Sequence, residues 1–170
     1  LPLLHRIGAL TAPREGDVRI SVLATPQGLD LTISTARGKI DARLTSQLAA
    51  LAASGPVARV TLNGDPVVTA RAPLVELSGV AVVPPPASFL QAAAEADTIM
   101  AELVSNALPK KSKRLADLFS GIGTFAFALA RRAPVEAFDS DRRLIEALNA
   151  GARHAQGLKP IVTTVRDLFR

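Results

Sequence analysis

Cysteine is absent from this chain of 170 residues, and so are Trp and Tyr. Without cysteine the chain cannot contain a disulfide scaffold, a thiolate zinc site, an iron–sulfur site or a cysteine nucleophile. The two histidines, His5 and His154, are far apart in the sequence, so we expect no metal site. Only six Phe supply aromatic rings, so Leu, Val, Ile and Ala must form most of the core.

Long hydrophobic runs are also missing. The longest uninterrupted ones, 48–53 and 125–130, have six residues each, whereas a membrane-spanning helix needs about 20. No signal-peptide pattern opens the chain, because Pro2, His5 and Arg6 interrupt any apolar region. We therefore expect a cytoplasmic protein that is not bound to a membrane, and an internal piece of a longer polypeptide.

Positive charge is concentrated in the second part of the chain. The net charge is +5, and residues 109–170 carry twelve Lys/Arg against six Asp/Glu, while residues 1–108 carry eight against nine. The basic part begins with the run Lys110, Lys111, Lys113 and Arg114. Such a cluster can attract a polyanion, or it can be a solvated linker between two folded pieces.

Residues 1–83 have the pattern of a small α+β domain. Alternating apolar residues predict a hairpin with one buried face, an Ala- and Leu-rich segment predicts a helix, and short β-branched runs predict further strands. The predicted strands are 18–23, 29–34, 57–62, 67–70, 75–77 and 80–83, and the predicted helix is 44–54. The three prolines 84–86 then end this domain.

Residues 84–170 change to strands that alternate with helices, which predicts parallel βαβ units. We predict helices at 92–108, 125–132 and 141–155, and strands at 114–119, 135–139 and 161–165. An open doubly wound sheet usually has more than three strands. The pattern therefore indicates an α/β domain that continues beyond Arg170.

A glycine turn follows the first of these strands. Gly121, Gly123 and Ala126 have the G-x-G-x-x-G/A spacing, which lets the backbone turn tightly and approach a ligand. Asp139 closes the next strand, 20 residues after Phe119, where a carboxylate can accept hydrogen bonds from both hydroxyls of a ribose. We therefore expect a nucleoside-containing ligand, although Asp139 could instead be an acid at the helix N-terminus.

Two cofactor classes fit this turn. A nicotinamide dinucleotide would place its pyrophosphate on the helix N-terminus. S-adenosylmethionine has no phosphate, and its cationic sulfonium and amino groups favour a nearby carboxylate. Asp117, four residues before Gly121, suits that second cofactor, unless backbone N–H groups of the turn satisfy its side chain.

Two segments together resemble one enzyme family. The run D-L-F-S-G-I-G-T-F at 117–125 is similar to the cofactor loop of the class I RNA uracil-C5 methyltransferases, which usually has D-L-F/Y-C-G-x-G-x-F. The run P-A-S-F-L-Q at 86–91 is similar to the F-x-Q-x-N segment that precedes the fold in that family. The resemblance implies a Rossmann-like class I methyltransferase fold over 84–170, and a small substrate-side domain over 1–83.

The same resemblance implies cofactor contacts. Gln91 would contact the methionine end of S-adenosylmethionine, and Phe119 and Thr124 would line the glycine loop. Gln91 could instead be a polar residue at a helix N-terminus, because Ala92-Ala93 replaces part of the usual segment.

Two acids complete the implied cofactor site. Asp139 would bind the ribose, where many members have Glu, and Asp167 would face the adenine, unless it is a surface loop acid. Ser120 stands where Cys is common, but that Cys is not the nucleophile of the family.

The chemistry of the family needs residues that this chain does not contain. Uracil C5 becomes nucleophilic only after a thiolate adds to C6, and a base must then remove the C5 proton. The D-P-P-R-like and S-C-N-P-like segments that follow in the family are not present here. We therefore expect part of a methyltransferase that acts on ribosomal or transfer RNA, with the catalytic cysteine further along the polypeptide.

Two other functions stay open at this point. One is a dinucleotide-dependent oxidoreductase that uses Gly121, Gly123 and Asp139. The other is a non-catalytic module that binds RNA or a protein.

Overall fold

The computed structural model describes residues 2–11, 17–35, 42–53, 55–91, 93–109 and 111–169. The chain divides into two compact units, Leu1–Pro73 and Leu74–Arg170, which we call the first unit and the second unit. The first unit contains α1 (Pro2–Thr11), β1 (Val18–Thr25), β2 (Gly28–Thr35), α2 (Ala42–Ala53), β3 (Val57–Leu62) and β4 (Asp65–Thr69). The second contains β5 (Val75–Leu77), β6 (Val80–Val82), α3 (Ala94–Ala107), β7 (Leu115–Leu118), α4 (Thr124–Ala130), β8 (Val135–Asp139), α5 (Arg142–His154) and β9 (Ile161–Val165).

The first unit is a four-stranded sheet in the order β1-β2-β3-β4. The outer pairs β1–β2 and β3–β4 are antiparallel, whereas β2 and β3 are parallel and are joined through α2. Leu44, Leu48 and Leu51 lie on one face of α2 and pack in the core of the unit. The predicted hairpin forms, but it does not have a single buried face at β2, because four successive residues of that central strand, 30–33, are buried.

Among the elements of the first unit that the structure describes, helix α1 is the one that the sequence pattern does not predict. Pro2, His5 and Arg6 interrupt the apolar pattern, yet proline is well tolerated in the first turn of a helix because its missing N–H is not needed there. Ile7 is fully buried and joins the core of the first unit.

The second unit is built on a parallel sheet in the order β7-β8-β9. The strands β8 and β9 begin and end where the sequence predicts, and α4 and α5 connect successive strands as in βαβ units. Phe127 of α4 and Leu148 of α5 are fully buried in its core. Ala92 of the predicted helix 92–108 and Lys110 of the basic run lie outside the described residues.

The hairpin β5–β6 belongs to the second unit. Leu77, Val80 and Val82 are buried in the same core as Phe127. The boundary between the units consequently falls at Pro73, before the hairpin, and not after residue 83 as the three prolines suggested. Short strands next to a proline run carry no signal that tells which core they join, so the sequence could not place this boundary.

Candidate functional site

A tight turn connects β7 to α4 and forms the centre of the candidate site. Phe119, Gly121 and Gly123 have φ values of 61°, 56° and 105°, so three of five successive residues are in the left-handed region. At Gly123 a Cβ would lie 2.6 Å from the Phe127 ring, which makes glycine necessary there. The space above Gly121 is open, with nothing within 4 Å of an added Cβ, so a ligand can approach its backbone.

The Asp139 carboxylate fixes this turn to the end of β8. Its Oδ2 accepts a hydrogen bond of 2.9 Å from the Gly121 N–H, and its Oδ1 accepts one of 2.9 Å from the Asp141 N–H. Asp139 is 9% exposed, and each oxygen keeps a further lone pair for a ligand. The structure therefore brings together the two features that the sequence singled out, the glycine turn and the acid at the next strand end.

The helix-capping role that remained open for Asp139 belongs to Asp141. Asp141 is the N-cap of α5, and its side chain accepts a hydrogen bond of 2.8 Å from the Arg143 N–H. Its ion pair with the Arg143 guanidinium lowers the pKa of the Asp141 carboxyl. Asp139 is thereby free of the cap and is held at the carboxyl edge of the sheet.

Asp117 is a second carboxyl group at this edge, and it is only 6% exposed. Burial raises its pKa to about 6, the negative charge of Asp139 also raises it, and a backbone hydrogen bond from Ala126 opposes both. Its Oδ2 has no hydrogen-bond partner in the described part of the chain. The turn therefore satisfies Asp117 only in part, which leaves an acceptor that a cationic or hydrogen-bonding ligand could satisfy.

An aromatic pair lies beyond the ends of β7 and β9. The rings of Phe119 and Phe169 have centroids 5.4 Å apart with 38° between their planes, and both side chains are exposed. Phe119 was expected in the site, whereas Phe169 was missed. No local pattern distinguishes Phe169, because its position follows from the register of β9 against β8.

The other three residues that the sequence assigns to the cofactor site lie at different distances from the glycine turn along the chain and in the fold. Thr124 is half-buried as the first residue of α4, and Asp167 lies beyond β9 at the same edge of the sheet, where its Oδ1 accepts a 3.0 Å hydrogen bond from Phe169 N–H. Gln91 is exposed and precedes the helix α3, which begins at Ala94. Within the described residues, no hydrogen bond joins Gln91 to the glycine turn.

This arrangement can bind a ligand with hydroxyl and cationic groups, since two buried carboxylates face one edge of the sheet. The described ranges contain no cluster of His, Asp or Glu that could hold a metal ion. They also contain no helix of the length and apolarity that a bilayer crossing requires. The chain offers no thiol for nucleophilic attack.

Comparison with known proteins identifies relatives that match this chain over nearly all of its residues. No protein-family model matches the chain. It is 44% identical over 170 residues to a Rhizobium meliloti protein named an uncharacterized RNA methyltransferase, and 42% identical over 167 residues to one of the same name from Brucella suis. The chain is therefore similar, over nearly its whole length, to proteins that are named uncharacterized RNA methyltransferases. It spans 40% of the length of each of these two relatives.

The fold has a solved counterpart. The chain superposes with a TM-score of 0.69 on the Pyrococcus abyssi tRNA (uracil-54, C5)-methyltransferase, which was crystallised with S-adenosyl-L-homocysteine. The superposition covers 95% of this chain and 44% of that one at 16% sequence identity. The predicted α/β architecture, a Rossmann-like class I methyltransferase fold preceded by a small α+β region, is therefore confirmed.

Proposed function

We propose that this chain forms the S-adenosylmethionine-binding part of an RNA (uracil-5-)-methyltransferase that acts on a uridine of ribosomal or transfer RNA. The observation that carries the proposal is the pair of hydrogen bonds that holds the Asp139 carboxylate between the glycine turn and the start of α5. A carboxylate that is fixed at a strand end suits the two hydroxyls of a ribose. The RNA methyltransferase relatives supply the substrate class.

The residues present fit this cofactor. Oδ2 of Asp117, which has no hydrogen-bond partner among the residues described, is a buried acceptor that suits the amino or sulfonium end of S-adenosylmethionine. The open backbone at Gly121 leaves room for a ligand. Phe119, Gly123 and Thr124 would line the turn around it.

The outer ends of the cofactor would contact two further residues. We assign Gln91 to the methionine end and Asp167 to the adenine, on the resemblance of their sequence segments to the uracil-C5 methyltransferases. Phe169 extends this assignment, since its ring already lies beside that of Phe119.

Bound S-adenosylmethionine would supply an electrophilic methyl group, and this chain would bind and orient it. The carboxylates of Asp117 and Asp139 lie at the carboxyl edge of the sheet, the edge at which ligands bind in open α/β sheets. A thiolate that activates the uracil at C6 must come from outside the 170 residues, because they contain no cysteine.

The proposal predicts that Asp139→Ala weakens binding of S-adenosylmethionine to the full-length protein at least tenfold, about 1.4 kcal/mol, in a calorimetric titration. The reason is the loss of two charge-assisted hydrogen bonds to the ribose hydroxyls. Asp139→Asn keeps one oxygen, which can still accept the hydrogen bond from the Gly121 N–H but not the one to the second oxygen from the Asp141 N–H. It therefore removes the charge and disturbs the turn less than Asp139→Ala does.

The matched control is Glu136→Gln on the same strand. Glu136 pairs with Arg114 at the other end of β8, so the substitution removes one carboxylate and leaves the glycine turn unchanged. An unchanged dissociation constant for both Asp139 variants would contradict the proposal. Saturable binding of NAD, without binding of S-adenosylhomocysteine, would favour the oxidoreductase. The structure argues against that function, because the negative charge of the buried Asp117 carboxylate, next to the first turn of α4, would repel a pyrophosphate at this helix end.

A further inference from the structure

A cavity of about 480 Å³ opens at the amino end of β9, between the end of α5 and the loop that enters the strand. Its size is within the range of ligand pockets. One wall is apolar and the rim carries two cations. The wall includes Ala152, Ala155, Leu158 and Pro160, and the cations are Arg153 and Lys159.

This cavity is separate from the cofactor site. In the register of the sheet Ile161 is beside Val135, whereas Val165 is beside Asp139. Four residues of strand correspond to about 13 Å. The cavity therefore lies at the opposite edge of the sheet from the carboxylates and the glycine turn.

The two rim cations are available to an external anion. Arg114 and Arg143 pair with acids of their own unit, but in the described part of the chain no acid pairs with Arg153 or Lys159, and both are exposed. None of the described residues that line the cavity is acidic. Its electrostatic character is therefore positive on one side.

The backbone around the cavity is well anchored. The Lys159 N–H donates a 2.7 Å hydrogen bond to the Ala130 carbonyl, and the Val135 N–H donates one of 3.0 Å to the Pro160 carbonyl. Asn149 at the back of the cavity is hydrogen-bonded to Thr163. A ligand would therefore find the wall and the loop already in place, which reduces the ordering cost of binding.

We propose that this cavity binds one nucleotide of the RNA substrate, with the phosphate between Arg153 and Lys159 and the base against the apolar wall. A nucleotide complements the cavity, because the flat face of its base can pack on the apolar wall and its anionic phosphate can pair with the two cations. Because the cavity is about 13 Å from the cofactor edge, this nucleotide is not the methylated uridine. It is a second contact that positions the RNA, and the inference rests on the proposed function.

The test compares two double variants of the full-length protein that remove equal charge. Arg153→Gln with Lys159→Gln removes the rim cations, and the control, Lys111→Gln with Lys113→Gln, removes two exposed cations near the start of β7. Both cations contact the same phosphate, so its loss should reduce the salt slope of log RNA affinity by about 0.7 to 0.9. We expect the control to change it by less than about 0.5, and both variants to bind S-adenosylmethionine normally.

Crosslinking gives an independent readout. Ultraviolet crosslinking of bound RNA to the wild-type protein should label the peptide 149–161, and the rim variant should lose this label. Equal loss of slope in both variants would mean diffuse attraction to a basic surface and would overturn the inference, as would an unlabelled peptide. If the wild-type protein binds S-adenosylmethionine and RNA, and the rim variant has the same salt slope and the same crosslink as wild type, only this inference fails. If the wild-type protein binds neither S-adenosylmethionine nor RNA, the proposed function fails as well.

Discussion

Removing the buried charge of Asp117 should stabilise the protein without its cofactor. Asp117 is 6% exposed, one of its oxygens has no partner among the described residues, and burial raises its pKa to about 6 from the ordinary 3.8. The native state thus binds this proton more tightly than the unfolded state, so the group lowers stability as the pH rises from about 4 to above 6. The full effect is about 3 kcal/mol.

Asp117→Asn keeps an acceptor for the Ala126 hydrogen bond and removes the charge. We expect its gain in the free energy of unfolding over wild type to grow from about 1.5 kcal/mol at pH 5 to about 3 kcal/mol at pH 8. The assay is urea unfolding of the full-length protein, followed by circular dichroism at both pH values. The control Asp141→Asn should have the opposite sign, because Arg143 lowers the pKa of Asp141.

The same substitution should weaken cofactor binding. If the Asp117 carboxylate binds the cationic end of S-adenosylmethionine, affinity for wild type should fall by up to about tenfold for each pH unit below 6, and Asp117→Asn should lose this dependence. A variant that is less stable than wild type at pH 8, with unchanged cofactor affinity, would refute the reasoning, since Asp117 would then be a satisfied structural acid.

Two further predictions concern stability. Gly123→Ala places a Cβ 2.6 Å from the Phe127 ring at a φ of 105°, and we expect it to lower the free energy of unfolding by about 2 to 5 kcal/mol through overpacking and backbone strain. Gly121→Ala places its Cβ in open space, so we expect a loss of only about 1 to 2 kcal/mol. Equal losses for the two variants in urea unfolding would contradict this difference. In the first unit, Arg59→Met leaves the buried Asp30 carboxylate without its bidentate partner and should cost about 3 to 5 kcal/mol. Adding Asp30→Leu should restore most of that loss, whereas additive losses would show that the ion pair is unimportant.

The sequence predicts those features that depend on local pattern. The strands β3 and β9 follow from runs rich in β-branched residues. The strand β8 follows from its place in the alternation of strands and helices, and the turn from β7 to α4 follows from the spacing of Gly121 and Gly123. The proximity of Asp139 to that turn follows from parallel pairing, because adjacent parallel strands end at one edge.

Features that depend on register could not be predicted in this way. Asp30 and Arg59 pair because β2 and β3 are aligned with a register shift next to Asp30, and Phe169 reaches Phe119 because of how β9 pairs with β8. The capping role of Asp141, which the pattern left open for Asp139, depends on where α5 begins, and the ends of a helix are the part that sequence patterns locate least well.

The claim that the full-length protein methylates uridine at C5 is tested most directly with RNA that carries tritium at C5 of its uridines. Formation of the new carbon–carbon bond at C5 requires loss of the hydrogen there. The account predicts release of tritium that depends on S-adenosylmethionine and equals the number of methyl groups transferred to the RNA. Methyl transfer with all tritium retained would place the modification at another atom and would contradict it.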